Sequence, residues 1–599
     1  MRHAFCFGVA TDAASATDPV SLETVYKTVY KKLLTFLYKH PHCFFSWAFG
    51  GVELELYAKS HPEFIKLLSE LVDRGQLELL GGGYYAPVLP LLLPVDRAGQ
   101  IELLTTLQRK LVGRRPRGVG LSPNIWDPLL IDSYKSCVMD FAQLDVSLFP
   151  VQLPRFSPLI LEHAGKTVTA LPVHPELAPR SESPESYIVR LIQAYPQDNS
   201  PDMVAVCAVP PCDMLPLLET NWLERFCAAL PEEIALTVPS RFLKEAELFV
   251  PAYIPSGISY AGANQRNMQD YMQAHPCVQN VYSRMMHVSC TVNQCRGDKA
   301  RKKAAREKLW EAQTGGAYLA AGAGTNSDFQ ADAYRNCIQA EKLVREASGF
   351  SASALAFDFD SDGHAEYAYQ LDAFNAFITK KGGAVFELDV FKALFNYCGD
   401  SLRLFVDCLQ PVGTRTFDGE TVLSRSLFTE ASFKRVKKEI RLQKTALYGT
   451  DRQCVLLKKN FSAFETGVQV QYILKNLSPA PLCAVFASSS SLLLPLGKGK
   501  QCKTEAVVEQ QKLSLNTAKL FNAESGVATV RITDAADSAS FVFVPNEEAG
   551  FAFKPLPAGQ HTYAVGGTFF WEIALEPDRE MEKTITLTIL SPRKGGKET

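Results

Sequence analysis

Over its first 250 residues or so the chain alternates short apolar runs with stretches whose apolar positions recur at helical spacing. Ala4–Val9 reads as a strand, Leu22–Tyr38 as a helix and Cys43–Phe49 as a second strand. Phe64, Leu67, Leu68, Leu71 and Val72 then share one helical face, with Gly75 as the stop. Ser60-His61-Pro62-Glu63 ahead of them has the form of a capping box. Leu77–Leu80 is the next strand and ends in Gly81-Gly82-Gly83; a helix is expected from about Asp96 to Val112, then an extended Val119–Leu121. Repeated strand–helix units predict a parallel sheet or a β/α barrel. In such barrels functional groups lie just past the strand ends, here after Val9, Phe49, Leu80, Leu121 and Val209.

From about residue 257 to 347 the pattern turns helical, with a Gly- and Ala-rich loop at Gly315, Gly316, Gly322 and Gly324 before a helix over Ala331–Leu343. After Gly349 it changes again. Val468–Tyr472 and Thr584–Ile589 alternate strictly, as half-buried antiparallel strands do. With Cys454–Lys458, Ala528–Ile532 and Phe541–Val544 they predict a C-terminal β-sandwich. The 599 residues therefore divide as a β/α barrel over 1–256, a helical domain over 257–348 and a β-sandwich over 349–599. The charged, Gly-containing segment Ser591–Thr599 reads as disordered.

A formal net charge of -2 argues against bulk attraction to nucleic acid or to an anionic membrane. Fifteen scattered cysteines, an odd number, fit a reducing compartment better than a disulfide framework. No apolar stretch has the length of a signal-peptide core or a membrane span. The expectation is a cytoplasmic protein.

Few residues stand out as chemistry. Asp12, Asp127 and Asp213 are the acids near strand ends, and Asp there most often caps a helix or turn. Asp358, Asp360, Asp362 and Glu366 alternate around Gly363 like a calcium loop, with an Asx turn as the alternative. The basic run from Arg296 to Lys308 reads as a solvated helix face, because Ala304, Ala305, Leu309 and Ala312 give it an apolar side. His40-Pro41-His42-Cys43 has no second ligand cluster and reads as a loop.

Several longer segments point further. Arg74-Gly75-Gln76-Leu77-Glu78-Leu79-Leu80-Gly81-Gly82-Gly83-Tyr84-Tyr85-Ala86-Pro87, then Pro116-Arg117-Gly118 through Trp126-Asp127-Pro128, then Ala333-Tyr334-Arg335-Asn336 with Gln339-Ala340-Glu341, occur in one collinear order. With Asp358–Gly363 and Phe386-Glu387-Leu388-Asp389, this series resembles glycoside hydrolase family 57, the 4-α-glucanotransferase and α-amylase group. The resemblance implies an incomplete, seven-stranded TIM-like β/α barrel, a helical domain completing the cleft and an antiparallel β-sandwich. It also implies α-glucan or maltodextrin as ligand, with a homodimer or another protein as the other candidate partner.

The family's retaining chemistry needs two carboxyl groups about 5–5.5 Å apart, one as nucleophile and one as acid and base. By the resemblance, the nucleophile position is Pro123 and the acid/base region is Pro210-Pro211, with Asp213 as the one nearby acid. The histidine segment after the first strand falls on Ala10-Thr11-Asp12-Ala13-Ala14, and a substrate-contacting glutamate falls on Ala86. Gly315-Gly316-Ala317-Tyr318-Leu319-Ala320 replaces a more polar segment of the helical region. No catalytic residue is therefore assigned. The expectation is a non-catalytic relative that binds α-glucan or a protein; an active transferase or amylase with relocated carboxylates is the alternative. Tyr84, Tyr85, Trp126 and Trp47 could stack on glucose rings, or simply pack.

Overall fold

The computed structural model describes residues 3–10, 19–120, 124–196, 202–259, 265–319, 328–399, 402–417, 421–496, 502–536, 538–557 and 562–590. Two compact units emerge: residues 1–282 with 313–323, and residues 283–312 with 324–599.

The first unit is built on seven parallel strands: β1 His3–Ala10, β2 Phe45–Ala48, β3 Leu77–Leu80, β4 Gly118–Gly120, β5 Phe141–Asp145, β6 Lys166–Val173 and β7 Val204–Val209. Pairing runs β4-β5-β6-β7-β1-β2-β3, and a parallel bridge from Gly81 to Val119 brings the ends of the path together. The β6–β7 joint is a single pair, Val173 with Val206, so the barrel is only nearly closed. A short eighth strand, Ile234–Leu236, pairs with the first half of β1, while β2 takes its last residues.

These strands are mainly apolar because both faces are buried, as parallel sheets require, with Ser46, Glu78, Gln143 and Asp145 among the polar exceptions. In β1, Phe5, Phe7 and Val9 pack with the helices outside, and Ala4 and Cys6 join Ala48, Leu80, Phe141 and Val206 in the lumen. Small inner residues permit close approach. A Cβ on Gly118 would lie 2.0 Å from the Phe141 ring.

One local expectation is corrected. Ser60 is not a cap: the helix Gly51–Ser60 runs to its end there, and His61, with φ -137, separates it from Pro62–Asp73. Proline at the first helical position sets the new start without a side-chain cap. A one-sided cap forms one helix earlier, where Glu53 Oε2 accepts from Gly50 N at 3.2 Å.

The second unit holds helices Lys299–Ala312 and Asp328–Ser348, a five-stranded antiparallel sheet and a thirteen-stranded antiparallel sheet. Residues of both sheets, among them Tyr367, Phe374, Leu388, Leu457, Val470 and Phe541, share one hydrophobic core. The basic run, apart from Arg296, lies on helix Lys299–Ala312, whose Ala305, Leu309 and Ala312 are buried. Gly297 is required beside it, since a Cβ there would sit 2.1 Å from the Ala347 carbonyl oxygen. All fifteen cysteines are free. No helix among the described residues is long and apolar enough to cross a membrane.

Candidate functional site

The barrel mouth is edged first by the turn after β3. Gly83 lets Pro87 fold back, for a Cβ on Gly83 would come within 2.3 Å of the Pro87 ring. Ala86 takes the left-handed region at φ 47, which costs a residue with a Cβ about 1–2 kcal/mol. Neighbours hold it there. Gly315 N donates to Ala86 O at 3.1 Å, and Pro87 pairs with Thr314 in an antiparallel bridge. Gln100 Oε1 accepts from Tyr85 N at 3.1 Å and Gln100 Nε2 donates to Gln313 Oε1 at 2.8 Å. Gln313 Nε2 in turn reaches Asp96 Oδ2 at 3.2 Å. Asp96, Gln100 and Gln313 are fully buried. A strained backbone persists where its surroundings fix it in this way. What it presents is a methyl group.

The second edge follows β4. Residues 121–123, and Pro123 with them, lie outside the described residues, and so do Thr11, Asp12, Ala13 and Ala14. The chain resumes as Asn124–Trp126, paired antiparallel with Gly257–Ser259 in a two-stranded ribbon. Two carboxylates fasten this ribbon. Asp145, at the end of β5 and buried, accepts from Ser147 N at 2.7 Å and from Ser259 Oγ at 2.6 Å. Asp127 accepts from Leu129 N at 2.9 Å and from Ser256 Oγ at 2.7 Å. Trp126 Nε1 adds a bond to Ile254 O at 3.0 Å. Asp145 drew no notice in the sequence, because its partner lies 114 positions away.

The third edge follows β7. Pro210 flanks helix Pro211–Glu219 in an extended conformation, and Pro211 occupies its first position. Neither ring offers a proton or a carboxylate. Asp213 sits exposed in the first turn, with its N donating to Pro210 O at 3.1 Å. Past β6 the structure adds His174, unremarked in the sequence and fully buried. Its Nδ1 lies 3.0 Å from Glu176 Oε1, its Nε2 2.9 Å from Arg155 O, and its ring stacks on Phe156 at 4.2 Å. The His174 hydrogen bond holds the Glu176 carboxyl below the usual range. His174 thus has both nitrogens engaged, as a packed structural histidine does.

Among the four aromatics, Trp47 and Trp126 are buried. Phe49 stacks on Trp47 at 4.6 Å and Tyr30 meets it edge-on at 4.8 Å. Tyr84 is also buried, lying so close to Gly51 that a Cβ there would be 2.3 Å from its ring. Tyr85 is partly exposed, next to the Tyr84 ring at 4.8 Å. Of the four, Tyr85 is the one that is not buried, and part of it packs against the core formed with the outer helices.

In the second unit, one ligand oxygen from each of Asp358, Asp360, Asp362 and Glu366 lies within 4.8 Å of the others. Elsewhere in that unit, two of the segments singled out in the sequence meet around one side chain. Arg284 lies 2.5 Å from Glu341 Oε2, 3.1 Å from Glu387 Oε1 and 2.8 Å from Asp389 Oδ2, all of them buried. Burial and the Asp389 charge push the Glu387 carboxyl well up, and burial raises Asp389 to about 6. Glu341, facing both Arg284 and Arg345, is held far below the usual range despite its burial.

Residues 14–161 match the family model described as Glycosyl hydrolase family 57. Alpha-amylase 1 of Dictyoglomus thermophilum is 23% identical over 448 residues, 65% of this chain and 64% of that protein. The 4-alpha-glucanotransferase of Thermococcus litoralis is 24% identical over 453 residues, 66% of this chain and 65% of that protein. The matched region thus spans just under two thirds of these relatives' length. The crystal structure of 4-alpha-glucanotransferase from Thermococcus litoralis superposes with a TM-score of 0.74 at 19% identity, covering 98% of this chain and 99% of that one. The sequence likeness to family 57 lies in residues 14–161, and over nearly the whole chain the fold resembles that of the Thermococcus litoralis 4-alpha-glucanotransferase structure.

Proposed function

We propose that this family 57 scaffold is a non-catalytic α-glucan-binding protein. The observation that supports this most is the state of the carboxylates past the strand ends. Asp127 and Asp145 each accept from one backbone N–H and from one serine of the segment 256–259, and so fasten structure. A retaining mechanism requires one carboxylate free to attack carbon and a second free to exchange a proton. The positions that the family resemblance assigns to those groups are Pro123, Pro210 and Pro211, and the sugar-contacting glutamate position is the clamped Ala86. Asp213 is an exposed acid on a first helical turn, where Asp is at home beside the helix dipole.

The ligand class follows from the scaffold, whose relatives carry the names 4-alpha-glucanotransferase and alpha-amylase. Tyr85, partly exposed beside the Gly-Gly-Gly turn, is the aromatic candidate for contact with the apolar face of a sugar ring. Calorimetric titration with maltoheptaose tests the reading. Saturable heat in the millimolar range, weakened several-fold in Tyr85→Ala, is expected. Absence of heat at millimolar ligand overturns glucan binding and leaves a protein partner as the reading.

A further inference from the structure

The hairpin Ser353–Phe357/Glu366–Gln370 pairs Phe357 directly with Glu366, so residues 358–365 form its connection. Local hydrogen bonds shape that connection. Asp358 accepts from the backbone of Asp362 and Gly363, both at 3.1 Å, and Asp362 accepts from His364 N at 2.8 Å. Ser361 and Gly363 both lie in the left-handed region, turning the loop so that its carboxylates converge. These features alone describe an Asx turn.

Glu366 is different. It is 1% exposed, on a strand, and is not part of the turn. One oxygen, Oε2, accepts from Phe359 N at 3.0 Å. The other, Oε1, is buried with no hydrogen-bond partner. Leaving a buried carboxylate oxygen unpaired is costly, and placing it beside three further carboxylates adds repulsion. Burial first and those acids second raise Glu366 to about 7. Nothing in a simple turn calls for such a group at this place. A cation would resolve both the repulsion and the unpaired oxygen.

We propose that Asp358, Asp360, Asp362 and Glu366 form a calcium site. An oxygen-only donor set of four carboxylates, with ligand atoms within 4.8 Å of one another, fits the 2.3–2.6 Å bonds and loose geometry of calcium. Magnesium prefers a tighter octahedron and retains several waters, so it is the weaker fit. The site has a structural consequence. Phe359 lies between two of the ligands and packs on Phe377 at 4.7 Å and Phe386 at 5.7 Å. Calcium would therefore fix the loop onto the aromatic cluster that also includes His287 and Phe357.

The test uses the full chain after chelator treatment. Titration with calcium should give saturable heat with one ion per chain and a dissociation constant of about 10⁻⁴ M or tighter. Thermal unfolding should shift upward with calcium and return on adding chelator. In Glu366→Gln the affinity should fall at least tenfold. The calcium-free variant should melt no lower than the calcium-free parent, because a buried charge has gone, which separates lost binding from misfolding. No heat at millimolar calcium overturns the proposal. So does undiminished binding in both Glu366→Gln and Asp360→Asn, and so does magnesium bound as tightly as calcium.

Discussion

Arg284 and Glu341 form an ion pair out of reach of water, with Nη2 and Oε2 2.5 Å apart and side chains 0% and 2% exposed. Arg345 adds a second cation at 2.6 Å from Glu341, and Glu387 and Asp389 add two more carboxyl groups. Two positive charges face three acids, so the cluster is neutral when one acid keeps its proton. Burial and their mutual repulsion raise both Glu387 and Asp389, so the proton belongs to that pair.

Breaking such a group differs from replacing it. Arg284→Met leaves buried carboxylates unpaired and should destabilise the second unit by about 3–5 kcal/mol. Denaturant unfolding followed by a signal from that unit checks this. A loss under about 1 kcal/mol would show that the carboxylates find water or protons at little expense, as surface groups do.

Helix Pro276–Gln294, which holds Arg284, also carries a pH-dependent element. His287 stacks on Phe357 at 5.1 Å, its Nε2 is buried without a hydrogen-bond partner, and burial lowers it to about 4. Arg284 and Arg345 push it down further, against the pull of Glu341. The unfolded chain, with an ordinary histidine near 6.5, binds more protons than the folded one in between. Stability from this residue is therefore full above about pH 6.5 and is lost as pH falls toward 4, by up to about 3 kcal/mol. His287→Phe should flatten that part of the stability–pH curve relative to the parent. An unchanged slope would place the titration elsewhere.

Ala86 offers a test of the mouth that does not depend on ligand. Ala86→Gly relieves the left-handed strain at φ 47 and should stabilise the first unit by about 1 kcal/mol. A loss instead would mean that the methyl group contributes packing that outweighs the strain.

Gly118→Ala should act in the opposite sense. The new methyl meets the Phe141 ring at 2.0 Å inside the barrel, an overpacking expected to lose about 1–3 kcal/mol. A neutral result would mean that the ring swings aside without displacing its neighbours.

The sequence made legible what is local and periodic. Four of the seven barrel strands, the helices Pro62–Asp73 and Pro94–Val112 and several alternating strands of the second unit announce themselves by spacing, and the Asp358–Glu366 loop is contained in nine consecutive residues. Ser60 misled because a capping pattern does not say whether the preceding helix has already ended; here it ends at Ser60 itself. Contacts between distant segments left no such trace. Asp145 meets Ser259, and Arg284 meets Glu387, only through the fold. Each is an ordinary polar residue in its own neighbourhood. The aromatics past the strand ends could not be sorted by type, since burial of Trp47 and Trp126 and part-exposure of Tyr85 are set by packing partners far along the chain.

Prolonged incubation of the pure protein with maltoheptaose, with longer and shorter oligosaccharides resolved over days, decides whether this scaffold is non-catalytic. A non-catalytic scaffold gives no redistribution of chain length above a protein-free control. Redistribution abolished by Asp213→Asn would contradict it, and would identify an active transferase working from a relocated carboxylate.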